Sequence, residues 1–590
     1  MGKLRVLVTR EKSTGPEGSP RHDVRETLNQ DQGGPATNVK FSLLRSRRRF
    51  LGSVGGVAAA AWTAGAIGLQ PLLGSEVSAA EIGPLLGDER ADQALEIREA
   101  AAQVERAVSI PAHPDNGDEA LYLTKIGNYS KALPHNGVGE VDLNAYNSLI
   151  AALSSGRPSD FEAIPLAGQR KLVNPQAGLA FDLEGTDGHQ LELPAAPALA
   201  SAEAAGELVE LYWMALLRDG PFTAYHTDPL AKAAAAELSK LTDFRGPKVG
   251  NKVTSRTLFR GFTPGDLTGP YLSQFLLKTA TFGSEEVQQR IRTVLPLSSG
   301  GADYLTDVNS WLLVQDGGDT GLSDRFDTTR RFVRTGRDLG QYVHVDVLFQ
   351  AYFNACLILL EMGVPFNPGN PYNASNTQVG FGTFGLPHVT TLVAEVATRA
   401  LKAAWYQKWD VHRRLRPEEF GGRVHFTKTG LRSYPLHPNV LNSDAVARVF
   451  NLNGTCLLPQ AYPESCPTHP SYGAGHATVA GACVTILKAF FDESFVVPDP
   501  VVPSDDGLSL NPFTGPDRGK LTVGGELNKL AANIATGRNF AGIHYRTDYS
   551  ESVKLGEAIA ISILRDQRST YNESFSGFTF TKFDGTKITV

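Results

Sequence analysis

Three stretches toward the C-terminal end of this 590-residue chain carry residues whose types and spacing suit proton transfer and oxyanion binding. In "HPSYGAGHATVAG", residues 469–481, His469 and His476 stand seven apart around the turn Gly473-Ala474-Gly475. The small residues that follow predict a helix opening at Gly475. A helix N-terminus presents unsatisfied N–H groups and a partial positive charge, and glycine lets an anion approach the backbone closely. A histidine at that mouth exchanges a proton near neutral pH. Taken alone, the stretch reads more simply as a Gly-rich connector with a surface histidine. In "QKWDVHRRLRPEEF", residues 407–420, Lys408, His412 and Arg416 recur at four-residue steps. That spacing predicts a basic helical face ended by Pro417, which by itself is a solvated surface. In "TGRNFAGIHYRTD", residues 536–548, Arg538 precedes His544 by six and Asp548 follows it by four. The His544–Asp548 spacing predicts one helix face on which the carboxylate orients the imidazole.

Together the stretches supply Lys408, Arg416, Arg538, the Gly475 N–H, His476 and His544. Guanidinium forks and an ammonium neutralise the equatorial oxygens of a tetrahedral or trigonal-bipyramidal oxyanion. One imidazole then bonds the central atom and the other shuttles a proton. Phosphate and vanadate both meet that description.

Helices must position these groups. From residue 90 onward apolar residues recur at three- and four-residue spacing, as in "ADQALEIREAAAQVERAV", "SAEAAGELVELYWMALLRDG", "HVTTLVAEVATRALKAAWYQKW" and "ATVAGACVTILKAFFDE". Alternating βα units are absent, and long Gly/Pro/Asn loops occupy 163–198, 245–270 and 494–524. The fold class is mainly α: helical bundles with long loops and a small C-terminal β-hairpin, "FTFTKFDGTKITV", turning at Asp584-Gly585. The expected organisation is a disordered N-terminus with a signal-like segment (1–80), an N-terminal helical region (85–245) and a C-terminal helical region carrying the site (246–590).

The N-terminal segment Ser46-Arg47-Arg48-Arg49-Phe50-Leu51 precedes a Gly/Ala-rich apolar run and resembles a twin-arginine export signal, with "VSAAE" at 77–81 as the cleavage site. This predicts an exported protein, periplasmic or extracellular, without a stable membrane span in its mature form. A hydrophobic fraction of 42% and a charged fraction of 20% are those of a soluble globular protein, and a net charge of −6 gives no electrostatic basis for nucleic-acid binding. The four cysteines are too few for a disulfide framework. Cys456 and Cys466 bracket a turn-rich loop and are predicted to pair in an oxidising compartment, whereas Cys356 and Cys483 read as buried thiols.

The order Lys408…Arg416-Pro417, then Pro470-Ser471…Gly475-His476, then Gly537-Arg538…His544…Asp548 resembles the three-part signature of vanadium-dependent haloperoxidases and the related acid phosphatases. The wording around it is most similar to bromoperoxidases of the red algal and cyanobacterial type. The resemblance implies a vanadate cofactor with His544 as axial vanadium ligand, and Lys408, Arg416, Arg538 and the Gly475 N–H on the equatorial oxygens. It makes His476 the acid/base, with Lys408 polarising the bound peroxide, and Asp548 the partner of His544. His469 matches a position that is histidine in bromoperoxidases, which implies a bromide preference. The implied reaction oxidises halide with hydrogen peroxide to a hypohalous-acid-like species that halogenates a small organic acceptor. No haem is called for. Two departures stand out. Ala474 replaces a serine common in the family, removing one hydroxyl hydrogen bond to an oxyanion. "FNPGNPYNASNTQVGF", residues 366–381, lacks any carboxylate, so calcium is not expected there. Red algal relatives form dodecamers, so the resemblance implies a homo-oligomer, with a dodecamer as one form. The same scaffold leaves open an acid phosphatase working through a phosphohistidine at His544, and a metal-free halogenase relative.

Overall fold

The small and apolar side chains that make up most of residues 475–490 let this segment sit at the centre of the molecule as a helix buried on every side. In the computed structural model, which describes residues 85–590, the principal helices are α1 (Asp88–Ala107), α2 (Ala202–Leu216), α3 (Gln350–Glu361), α4 (Leu386–Tyr406), α5 (Pro417–Lys428), α6 (Gly475–Phe490), α7 (Val523–Phe540) and α8 (Arg546–Arg568). Every residue of α6 except His476 is buried. Helices α4, α7 and α8 pack around it. The α6–α8 crossing is close because it is built on glycine: a Cβ at Gly481 would overlap the Val553 carbonyl, and one at Gly556 the Thr478 carbonyl. Only hydrogen fits at both positions.

The predicted helices are present, and the described residues lie in one compact unit. Helix α2 packs against Pro438–Leu441, Asp444–Asn453 and α7, so residues on either side of 246 share a core. The C-terminal hairpin forms between β1 (Thr579–Thr581) and β2 (Lys587–Thr589), with Gly585 at φ +85 in its turn. Lys488, at the end of α6, donates to the Thr581 carbonyl at 2.7 Å and ties the hairpin to the central helix. Two other short hairpins, Ala280–Phe282 with Glu285–Val287 and Val501–Pro503 with Leu510–Pro512, were not signalled by alternation because their strands are three residues long. The 163–198 loop runs back toward the site: Val173 N donates to Thr468 O at 2.9 Å, and Trp405 Nε1 to Val173 O at 3.0 Å.

The expected signal segment lies outside the described residues, and among those described no helix is long and apolar enough to cross a membrane. All four cysteines are free and buried, so the predicted Cys456–Cys466 disulfide is absent. The two thiols belong to different apolar clusters. Cys456 is held by His425 Nδ1 and Tyr212, whereas the Cys466 amide donates to Glu418. Short sequence separation does not bring the sulfurs together, because each neighbouring backbone is committed elsewhere. In the 366–381 segment, Asn367 and Asn370 spend their amides on the Thr579 and Phe384 carbonyls.

Candidate functional site

Lys408 does not sit on a regular basic face. Helix α4 ends at Tyr406, a π-helical turn spans Gln407–His412, and Arg413 follows in the left-handed region at φ 38. The four-residue periodicity is therefore broken before Arg416, which is the N-cap of α5, with Pro417 opening that helix rather than ending one. Glu119 pins the strained Arg413 by accepting from its Nε at 3.1 Å. The wider π turn carries Lys408 inward, where Nζ donates to Pro470 O at 2.7 Å and Ser471 O at 2.9 Å. His412, by contrast, is buried edge-on to Tyr472 with both ring nitrogens unpartnered, and burial lowers its pKa to about 3. It is a neutral packing residue outside the cation set.

Arg416 links the three stretches. Its Nε donates to His469 O at 2.8 Å and one terminal nitrogen to His469 Nδ1 at 2.8 Å. Its other terminal nitrogen reaches Ile543 O at 2.8 Å and His544 Nε2 at 3.1 Å. A guanidinium only donates, so both ring nitrogens it meets are lone-pair acceptors. Arg538 enters from the end of α7, with one terminal nitrogen on Val343 O at 2.6 Å and Nε buried without a partner. It lies near enough to Lys408, Arg416 and His476 to disfavour a proton on each. Lys408 and Arg416 are wholly buried and Arg538 nearly so. None of the three has a carboxylate partner among the described residues.

His544 precedes α8 instead of lying on it, and Asp548, in that helix's first turn, reaches back. Its Oδ2 accepts from His544 Nδ1 at 2.7 Å and Tyr545 N at 3.1 Å, and from Ser471; Oδ1 accepts from Arg414 at 2.9 Å. The pair was predicted and forms, but by helix capping geometry. Burial would raise the Asp548 carboxyl, but Arg414 and the other donors outweigh it and hold it below the usual carboxylate range. The imidazole consequently carries its proton on Nδ1, and Nε2 keeps its lone pair. Burial, then Arg416, push the His544 pKa far down; burial, Lys408 and Arg416 do the same for His469.

Gly475 opens α6 as predicted, behind Ala474 as an N-cap that has no side-chain hydrogen bond. A Cβ at 475 would press on the Trp405 ring at 3.1 Å, so glycine is also a packing requirement. Trp405 floors the site, 4.9 Å from the His469 ring and 5.7 Å from Lys408 Nζ. His476 follows, its Nε2 3.1 Å from Asp346 Oδ1. Burial lowers its pKa while Asp346 opposes that shift.

Residues 456–573, which hold the 469–481 and 536–548 stretches, match the family described as the VCPO second helical-bundle domain. The vanadium-dependent bromoperoxidase of Corallina officinalis is 37% identical, across 85% of this chain and 98% of that protein; the one from Ascophyllum nodosum is 36% identical, across 86% and 93%. The chain belongs to the vanadium-dependent bromoperoxidase family. The solved structure of the second vanadate-dependent bromoperoxidase from Ascophyllum nodosum superposes with a TM-score of 0.81 at 32% identity, covering 88% of this chain and 94% of that one.

Two residues of this bromoperoxidase-family site escaped the sequence reading. Asp346, in "VHVDV", is 130 residues from His476 in sequence and carries no motif of its own. Arg414 lies inside the quoted lysine stretch, yet only the fold shows it bridging Glu207, at 2.7 Å, to Asp548.

Proposed function

We propose that this chain is a bromide peroxidase that uses vanadate and hydrogen peroxide to brominate small organic acceptors. The observation carrying this reading is the buried charge. Among the described residues, Lys408, Arg416 and Arg538 converge without a carboxylate partner, and Arg538 Nε has no hydrogen-bond partner at all. Burying unpaired cations is costly, and a multiply charged oxyanion offsets that cost for all three at once. His544 Nε2, its lone pair fixed by the Nδ1–H to Asp548, suits a metal bond. The residues therefore fit orthovanadate: His544 as ligand, with Lys408, Arg416, Arg538 and the Gly475 N–H on its oxygens.

When bound, vanadate supplies a Lewis acid that activates hydrogen peroxide toward halide. The protein's part is positional and protonic. The cations hold the oxygens and draw off charge, with Lys408 also able to polarise a peroxide oxygen. Asp346 accepts from His476 Nε2, leaving Nδ1 as the basic nitrogen that takes a proton from incoming peroxide and later returns it. Bromide gives an electron pair to one peroxide oxygen, the O–O bond breaks, and the other oxygen leaves as water after taking up a proton. His469, bonded to Arg416, adds a polar neutral ring beside this site and supports a bromide preference. The similarity to a homohexameric relative supports a homo-oligomer. The Arg47-Arg48 segment supports export, which signal cleavage on secretion would test.

The test is bromination of a phenol by metal-stripped protein with bromide and peroxide. Activity is expected to return with orthovanadate, to fall when phosphate competes, and to be lost in His544→Ala. Phosphomonoester hydrolysis without any bromination would overturn the reading.

A further inference from the structure

A cavity of ≈ 670 Å³ opens beside Asp346, the partner of His476, and its lining is both cationic and apolar. Arg290, Arg292 and Arg330 line it together with Val287, Tyr342 and Val345. The valines are exposed at its mouth, 42% for Val287 and 71% for Val345. Asp346 lines the cavity and its carboxylate is the one bonded to His476, so this space is separated from the proposed acid/base by a single side chain.

Two of the arginines are held in place without being neutralised. The Arg292 guanidinium stacks 3.8 Å from the Phe326 centroid and that of Arg290 lies 5.2 Å from the Phe332 centroid. Arg290 Nε is buried without a hydrogen-bond partner. Among the described residues none of the three has a carboxylate at ion-pair distance. Asp327, the adjoining acid, is bound by Arg331 at 2.8 Å. The lining's own carboxylates are Glu286, which is exposed, and Asp346, which is committed to His476. Guanidinium forks without ion pairs among the described residues, in one cavity with exposed valines, match a ligand with an anionic head and an apolar body.

Resting on the bromoperoxidase reading, we propose that this cavity binds the organic acceptor, and that the acceptor class is a carboxylate attached to an aromatic or alkene body. The arginines take the carboxylate, and the apolar part lies along Val287 and Val345, near the place where the oxidised halogen is released. Bromination then favours anionic acceptors beyond their intrinsic reactivity.

The experiment is a competition on the full chain loaded with orthovanadate. Equal amounts of 4-hydroxyphenylacetate and 4-hydroxyphenylacetamide share limiting peroxide and bromide, and the product ratio is compared with that from hypobromite added directly. The enzyme is expected to enrich the brominated carboxylate. Arg292→Gln with Arg330→Gln, both at exposed positions, should return the ratio to the free-reagent value, while the double Lys variant keeps the enrichment. Turnover of the neutral amide and the KM for bromide should not change. Calorimetric titration of 4-hydroxyphenylacetate without peroxide should show binding that is about tenfold weaker in the double Gln variant. A wild-type ratio equal to that of free hypobromite, a bromide KM that rises in the Gln variant, or no calorimetric binding would each overturn the proposal. If wild type brominates neither phenol, the bromoperoxidase reading fails instead, and the titration alone decides whether the cavity binds carboxylates.

Discussion

Asp548→Asn removes one negative charge and one acceptor beside His544, the proposed vanadate ligand. In the wild type, Oδ2 accepts from His544 Nδ1 at 2.7 Å, Tyr545 N at 3.1 Å and Ser471, while Oδ1 accepts from Arg414 at 2.9 Å. An amide has one oxygen. If that oxygen takes the Oδ2 place, the NH2 faces the Arg414 guanidinium, donor to donor. Arg414 keeps Glu207 at 2.7 Å, so the loss is one charge-assisted bond of about 1.5–3 kcal/mol. If the amide is reversed, His544 loses its Nδ1 acceptor and shifts the proton to Nε2. That proton then opposes the Arg416 N–H now 3.1 Å away and occupies the lone pair that the proposed function assigns to vanadium. Either arrangement weakens the ligand, and a change in such a supporting partner lowers metal affinity by roughly 10–100-fold. Equilibrium dialysis against orthovanadate, with vanadium measured on both sides, reads this directly, and a thermal melt confirms that the variant is folded. A folded variant with the wild-type dissociation constant would refute the claim that Asp548 orients His544.

Three further outcomes follow from the same structure. Ala474→Ser places a hydroxyl at the uncapped N-terminus of α6 and should stabilise the protein by about 1 kcal/mol while lowering the orthovanadate needed for half-activation. An unchanged denaturation midpoint and an unchanged requirement would show that this side chain meets neither the helix end nor the oxyanion. Gly556→Ala adds a methyl against the Thr478 carbonyl, so despite a helix-propensity gain of about 1 kcal/mol it should destabilise the protein in urea; equal or greater stability would mean that the α6–α8 approach is looser. His412 titrates near 3 folded against 6.5 when unfolded, so the unfolded chain binds the extra proton as pH falls below 6.5. Its contribution to stability is complete above that value and is lost toward pH 3 at about 1.4 kcal/mol per pH unit, and His412→Phe should show a correspondingly shallower acid loss in denaturant midpoints.

The site was legible where its chemistry lay in contiguous motifs. His476 behind Gly475, and His544 with Asp548, are local patterns whose spacing survives folding. Lys408 and Arg416 were identified by type, but the face they were assigned to does not exist, because a π turn and the left-handed Arg413 intervene. No periodicity argument anticipates such a break, since it is held by a tertiary contact to Glu119. Asp346 was invisible for the same reason: the histidine it bonds is 130 residues away. The predicted Cys456–Cys466 bond failed because proximity in sequence was taken for proximity in space. The helical fold itself was clear from the spacing of apolar residues. The glycines that let α6 and α8 meet read only as small residues until their neighbours are known.

A crystal structure of the protein soaked with orthovanadate would show where vanadium binds. Vanadium is expected on His544 Nε2, with its oxygens on Lys408, Arg416, Arg538 and the Gly475 N–H. Vanadium bound elsewhere, or none bound at a concentration that supports bromination, would contradict that placement.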